Sequence, residues 1–208
     1  MKIIYITGTW GSGKTTLEAN IRKQLKAPIS TPYDYVLSED REVGFIGRTA
    51  SKDNKPIKYG GLDAFLGEKK DLMYEIEKLE NRRVKYTVFS GSANLKKYIP
   101  GITNSEYEIE VFFNKRNSNR ITNQRVRRKD QSKNAKLTRI HVLFQQDWLS
   151  NEIKRWDKLQ REYSNVKATV LKGDTKQRTQ TILQSMNKPH NPKLWVVRKP
   201  YSDFYKEK

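Results

Sequence analysis

Gly8-Thr9-Trp10-Gly11-Ser12-Gly13-Lys14-Thr15 satisfies the spacing G-x-x-x-x-G-K-[ST], and each residue type in it suits phosphate chemistry. The glycines let the backbone turn sharply and aim its N–H groups at phosphate oxygens. A helix starting where the loop ends adds its partial positive charge. The Lys14 ammonium suits the β- and γ-phosphates of a nucleoside triphosphate, and the Thr15 hydroxyl suits Mg²⁺. The expected ATP-binding segment is therefore Gly8, Thr9, Trp10, Gly11, Ser12, Gly13, Lys14, Thr15 and Thr16. Within it Lys14 is also the expected catalytic cation, and Thr15 the expected metal ligand.

Lys115 to Arg139 holds ten basic residues and one acid, Asp130. Six of the ten are arginines, whose planar forks fit phosphate better than an ammonium does. Arg116 and Arg120 stand four apart, so on a helix they share a face, and Arg120 and Arg127 stand seven apart. The run reads as a lid over a triphosphate, as a nucleic-acid groove in which Arg125, Arg127 and Arg128 meet backbone phosphates, or as a solvated charged helix.

Phosphoryl transfer to an alcohol calls for a carboxylate that orients or deprotonates the acceptor. An acid serving the metal belongs at the end of an apolar strand, yet the strand Tyr86–Phe89 runs out into Ser90-Gly91-Ser92. The best substitute is Asp63, in Tyr59-Gly60-Gly61-Leu62-Asp63-Ala64-Phe65. Two glycines there allow close approach of a ligand, and the acid projects from a first helical turn. The same position would equally serve a helix dipole. Arg48, after Gly47 at a strand end, is the candidate for holding substrate phosphate. Glu39, Asp40 and Glu42 read as solvated turn acids. His141 and His190 are too far apart in sequence to suggest a metal pair. Trp148 and Trp156, eight apart, read as core.

Alternating strands and helices must position these groups. Lys2–Thr7 is a buried strand ahead of the loop, and Leu17, Ile21 and Leu25 recur at helical spacing behind it. That helix should stop before Pro28. Residues 35–48 read as a hairpin with a charged turn, 49–61 as a loop, and 62–82 as a helix. Further strands are expected at 86–89, 107–113 and 166–171. A long helix should run from about Leu143 to Tyr163, and a last one from Thr175 to Met186 with Asp174 as its cap. This order implies an α/β P-loop NTPase fold: a parallel sheet of about five strands flanked by helices, with an Arg-rich lid. Ligands should meet at the carboxyl ends of the strands. Residues 1–187 form the expected domain, with the lid at about 114–140. A basic, aromatic tail at 188–208 should pin itself to the body or stack on bases.

Composition narrows the partners. Forty-two Lys and Arg against 23 Asp and Glu give a net charge of +19, which points to a polyanion such as DNA met through a basic surface. The absence of Cys excludes disulfide scaffolds, thiolate zinc sites and cysteine nucleophiles. No apolar run approaches the roughly 20 residues that span a bilayer. The chain enters its first strand at once, so no signal peptide is expected, and the cytoplasm is the expected compartment.

With Gly8 to Thr16, Gly47-Arg48, Tyr59-Gly60-Gly61-Leu62-Asp63-Ala64 and the arginine run assembled, the chain resembles the small phage-type P-loop nucleotide and DNA kinases. Within that group it is similar to the 5-hydroxymethyluracil DNA kinases. The resemblance covers about residues 1–186 and implies ATP and Mg²⁺ as cofactors, with Lys14 and Thr15 contacting them. It implies Arg116 and Arg120 as lid arginines that stabilise the transferring phosphoryl group. Arg48 and Asp63 become substrate-side residues, and the acceptor becomes the hydroxymethyl group of a modified base in phage DNA. Such a protein would work inside the host cell. Ser90 departs from the group, where an acid is common. Other readings are a deoxynucleoside monophosphate kinase, a polynucleotide end kinase and a non-catalytic nucleotide switch on DNA.

Overall fold

The computed structural model describes residues 1–29, 33–50, 56–61, 71–91, 101, 103–127, 135–191 and 193–194. Six strands build one sheet: β1 (Lys2–Thr7), β2 (Tyr35–Leu37), β3 (Val43–Ile46), β6 (Tyr86–Gly91), β7 (Glu108–Phe113) and β8 (Val166–Val170). Their order is β2-β3-β6-β1-β7-β8. All neighbours pair in parallel except β2 with β3, the antiparallel edge. The expected parallel sheet of about five strands is thus present, with one hairpin strand added. A separate two-stranded hairpin, β4 (Arg48–Ala50) and β5 (Pro56–Gly61), follows β3 directly.

Among the described residues, the helices that accompany the strands are α1 (Lys14–Gln24), α2 (Leu72–Asn81), α3 (Ser118–Arg127), α4 (Ala135–Glu162) and α5 (Thr175–Ser185). Alternation along β1 divides the core in two. Ile3 and Tyr5 face Leu72, Ile76 and Leu79 of α2 and Leu149 and Trp156 of α4. Ile4 and Ile6 face Leu17 and Ile21 of α1 and Ile182 and Leu183 of α5. A parallel sheet needs both faces covered, and here two helices cover each.

Several boundaries differ from expectation for physical reasons. Residues expected as a loop at 49–61 include most of the β4–β5 hairpin. Its polar, glycine-rich strands carry no apolar alternation to announce them. α2 starts at Leu72, where the Asp71 side chain accepts from the Met73 N–H at 2.9 Å. The residues expected as its first turns, 62–70, lie outside those described. α4 begins at Ala135 rather than near Leu143; in its opening turns Ile140 is exposed while Thr138 and Val142 are buried, so the apolar residues there do not mark one buried face. Asp174 caps α5 as expected and forms a reciprocal capping box with Gln177. Trp156 is core, as its spacing indicated, and Trp148 packs against the same cluster half-buried.

Candidate active site

All parallel strands end on the same edge, and β1 ends there between its neighbours β6 and β7. The chain then turns into the glycine loop. Gly8 sits at φ 155°, and a Cβ there would lie 2.8 Å from the Asn114 carbonyl oxygen, so the loop leaves the sheet through a gap only glycine fits. Gly11 has φ 79°, a left-handed conformation, and a Cβ on it would press to 3.3 Å from Cγ of Arg125. Gly13 then caps α1 without a side chain, and no acid occupies the first turn. The helix's amino-terminal N–H groups and dipole are therefore presented toward a ligand rather than neutralised locally.

Two side chains in this cradle test whether it fits phosphate. Thr9 and Ser12 are buried at 1% and 2% exposure, and among the described residues neither hydroxyl has a hydrogen-bond partner. Buried hydroxyls are normally paired, and phosphate oxygens are the partners this loop would supply. Lys14 is 8% exposed, and its Nζ donates to the carbonyls of Gly8 at 2.9 Å and Thr9 at 3.0 Å. The ammonium therefore lies across the mouth of the cradle, held by the loop's own backbone. Residues, charge and orphaned hydroxyls all fit a nucleotide's phosphates.

Asn114, the residue after β7, braces the loop from below. Its Nδ2 donates to the Ser12 carbonyl at 2.8 Å, and its Oδ1 accepts from Nη1 of Arg178 on α5. Arg178 also donates to the carbonyls of Gly173 and Lys115, each at 2.9 Å. Nothing in the local sequence marks Asn114 as functional. A polar residue at the end of an apolar strand is the only signal it carries.

The basic segment settles on the loop as two helices. Ile121 and Arg125 of α3 lie against Gly11, and the Arg125 guanidinium stands 5.8 Å over the Trp10 ring. From α4, Gln145 Oε1 accepts the Trp10 backbone N–H at 3.1 Å, and the His141 ring meets Trp10 edge-on at 6.3 Å. Trp10 itself is 41% exposed. His141 is exposed beside the glycine loop. Thr122 and Thr138, on these same two helices, are buried hydroxyls that also lack a partner among the described residues.

The arginines of the run separate. Arg116 precedes α3 instead of belonging to it, because Asn117 starts the helix by accepting the Ile121 N–H on its carbonyl. Arg116 and Arg120 therefore share no helical face, contrary to expectation. Arg116 Nη2 instead donates to Thr175 Oγ1 at the start of α5, 3.1 Å away. Arg125 is 2% exposed, so it packs on the P-loop rather than lining an open groove for nucleic-acid backbone. Arg120 and Arg127 lie on α3 seven apart. Arg128 lies outside the described residues.

At the end of β6, Ser90 stands beside Ile6 in register and hydrogen-bonds the Glu18 carboxylate of α1. Glu18 Oε1 accepts from Arg22 Nε at 2.8 Å and from Nη2 at 2.5 Å. Arg22 in turn reaches the carbonyls of Pro28 and Gly47 and covers the Phe45 ring. All three side chains are at most 2% exposed. A carboxylate is thus delivered to the strand end from the helix, which inspection of the strand alone could not show. Arg48 opens β4 and pairs in register with Gly61, so the hairpin unites the Gly47-Arg48 and Tyr59-Gly60-Gly61 elements at one place. Asp63, two residues beyond Gly61, lies outside the described residues.

The turn acids serve structure. Burial pushes the Asp40 carboxyl up, but hydrogen bonds from Lys188, Ser38 and the Glu42 N–H outweigh it and hold the pKa down at about 2. Lys188 bonds both Asp40 and Glu42. Burial alone would lower its pKa, yet these two acids raise it. The chain after α5 is thereby tied to the β2–β3 turn. Gln24 then donates to the carbonyls of Asn191 and Leu194; residues 195–208 lie outside the described residues. Among the described residues no group of three or more His, Asp or Glu forms a cation cage. A divalent ion here would be held by the nucleotide's phosphates and Thr15.

The fold and loop define a P-loop nucleotide-binding domain, a class that binds nucleoside triphosphates, usually with Mg²⁺. The chain matches the KAP family P-loop domain over residues 2–188 and belongs to that family. No curated protein matches the chain, and no solved structure does. Among the described residues no helix is long and apolar enough to cross a membrane.

Proposed function

We propose that the chain is an ATP-dependent phosphotransferase acting on DNA, with the hydroxymethyl group of 5-hydroxymethyluracil as acceptor. The observation that carries this reading is an arginine-bearing helix seated directly on the phosphate loop of a chain of net charge +19. A mononucleotide needs only a local cluster of positive charge, whereas a duplex rewards a broad basic surface. The seated helix favours transfer to an acceptor, because covering the loop excludes competing water.

In this reading the triphosphate satisfies Thr9 and Ser12, and Lys14 exchanges the Gly8 and Thr9 carbonyls for phosphate oxygens. Thr15, with the phosphates, would hold Mg²⁺, which would supply charge neutralisation for the transferring group. Arg125 closes the loop from above. Arg48, at the start of the hairpin that leaves β3, is assigned to the acceptor side, and Asp63 is assigned there on its sequence alone. A base in duplex DNA reaches such a site by flipping out of the stack.

The test is transfer of label from γ-labelled ATP, run in parallel on hydroxymethyluracil duplex, thymine duplex, deoxynucleoside monophosphates, DNA 5′ ends and water. Label on the modified duplex alone supports the reading. Label on a monophosphate or on DNA ends makes the chain a different kinase. A second reading, a nucleotide-hydrolysing switch on DNA, is favoured by the family match and by the serine at the β6 end. It requires phosphate release with no labelled acceptor.

A further inference from the structure

The Ser90–Glu18 pair is more than a tie between β6 and α1. An ionised carboxylate only accepts hydrogen bonds, so the proton between Ser90 and Glu18 belongs to Ser90. A hydroxyl has one proton and two lone pairs. With its proton committed to Glu18, Ser90 can only accept from any third group, which is how a carboxylate behaves. The strand end therefore carries acceptor character without carrying an acid.

Its location matches that character. Ser90 is paired with Ile6, two residues before Gly8, and Glu18 stands one helical turn beyond Lys14 and three residues beyond Thr15. Glu18 is not the direct acceptor, because Arg22 donates two hydrogen bonds to one of its oxygens and Ser90 donates to the other. The buried arginine cancels the carboxylate's charge, so what reaches the strand end is an oriented dipole.

We propose that Ser90, polarised by Glu18, is the acceptor that holds the hydrated Mg²⁺ accompanying a bound nucleotide, in place of a strand-end carboxylate. Ser90 contacts the ion's shell, and Glu18 is a positioning residue that fixes the direction of the hydroxyl. This rests on the reading of the loop as a MgATP site.

The experiment measures affinity for a fluorescent ATP analogue in Mg²⁺ and in EDTA, for wild type, Ser90→Ala, Ser90→Cys and Ser90→Thr. Thermal melts are run on every variant. In EDTA the Ala variant should bind within about twofold of wild type, because the loop contacts are intact. The gain in affinity that Mg²⁺ brings should shrink by about tenfold, the factor one hydrogen bond to a charged group represents. The Thr variant keeps the hydroxyl and should keep the gain. The Cys variant is close to isosteric and hydrogen-bonds weakly, so it should lose the gain even if the Ala variant folds poorly. A tie that is merely structural would move both affinities by one factor, or neither, and would overturn the proposal. A wild-type chain that binds no nucleotide would instead overturn the nucleotide reading beneath it.

Discussion

Asn114 is the strongest single test of how the loop is supported. Its side chain is fully buried, and it joins two groups that cannot reach each other: the Ser12 carbonyl and the Arg178 guanidinium. Asn114→Ala strips both. A buried carbonyl left without its donor costs about 1–3 kcal/mol. The lost hydrogen bond to a charged group adds roughly 1.5 kcal/mol at the low end, because Arg178 keeps the Gly173 and Lys115 carbonyls. The expected destabilisation is about 3 kcal/mol, or a fall in Tm of about 6–12 °C for a domain of this size. Asn114→Asp separates the two halves. Its carboxylate keeps and strengthens the Arg178 contact, so stability should fall by less than about 1.5 kcal/mol. It cannot donate to Ser12, however, and it brings negative charge beneath a phosphate cradle. Nucleotide affinity should therefore drop at least about tenfold in the Asp variant, through repulsion beyond the lost hydrogen bond. Urea denaturation and nucleotide titration of the two variants provide the readout. An Ala variant within about 0.5 kcal/mol of wild type would refute the bracing role. So would an Asp variant that binds nucleotide as wild type does.

Lys14→Ala should abolish phosphoryl transfer while leaving the fold intact, since it removes the main cation of the cradle; full activity in a transfer assay would sink the assignment. Arg125→Lys keeps the charge but loses the planar fork over Trp10, so turnover should fall by roughly tenfold or more with little change in melting temperature. Unchanged turnover would return Arg125 to packing. Gly44→Ala would place Cβ 2.7 Å from both Leu79 methyl carbons across the β3–α2 contact, costing about 1–3 kcal/mol by overpacking in chemical denaturation. A neutral result would mean that Leu79 has room to move. The folded Asp40 pKa lies below its ordinary 3.8, so its stabilisation is complete above about pH 4 and disappears as the pH falls toward 2. Asp40 is about half exposed, so the contribution is only about 1 kcal/mol after solvent screening. Lys188→Met should flatten that part of the stability–pH curve, and an unaltered slope would show that the pair contributes nothing.

Some elements were legible because a local pattern and a buried face coincide. β1, β6, β7 and β8 are short apolar runs, and α5 announces itself through Asp174 and Gln177. The loop motif is legible for a stricter reason: its glycines, Lys14 and Thr15 act through their own backbone and side chains within a few residues of one another. The β4–β5 hairpin was hidden, because its sequence, Arg48-Thr49-Ala50 and Pro56-Ile57-Lys58-Tyr59-Gly60-Gly61, shows no apolar alternation that would reveal it. The first turns of α4 were hidden because exposure there does not follow hydropathy: Ile140 is exposed while the polar Thr138 is buried. The arginine run showed where charge collects. It could not show that Arg116 turns away to Thr175 while Arg125 packs on Gly11.

By itself, the sequence determined that this chain carries a phosphate-loop motif at residues 8–16, alternates strands with helices, and holds far more positive charge than solubility needs. Each of those follows from composition or from neighbours along the chain. Tertiary structure alone decided which groups from distant segments meet at that loop. Asn114 and Arg178 brace it from β7 and α5, and Arg125, His141 and Gln145 cover it from two helices. Glu18 brings to the end of β6 a carboxylate that the strand lacks. Such contacts join residues between 72 and 135 positions apart in the cases of Ser90 with Glu18 and Gln145 with Trp10. No local periodicity encodes them. They exist because a parallel sheet gathers the ends of its strands on one edge, and the helices returning across that edge set the partners.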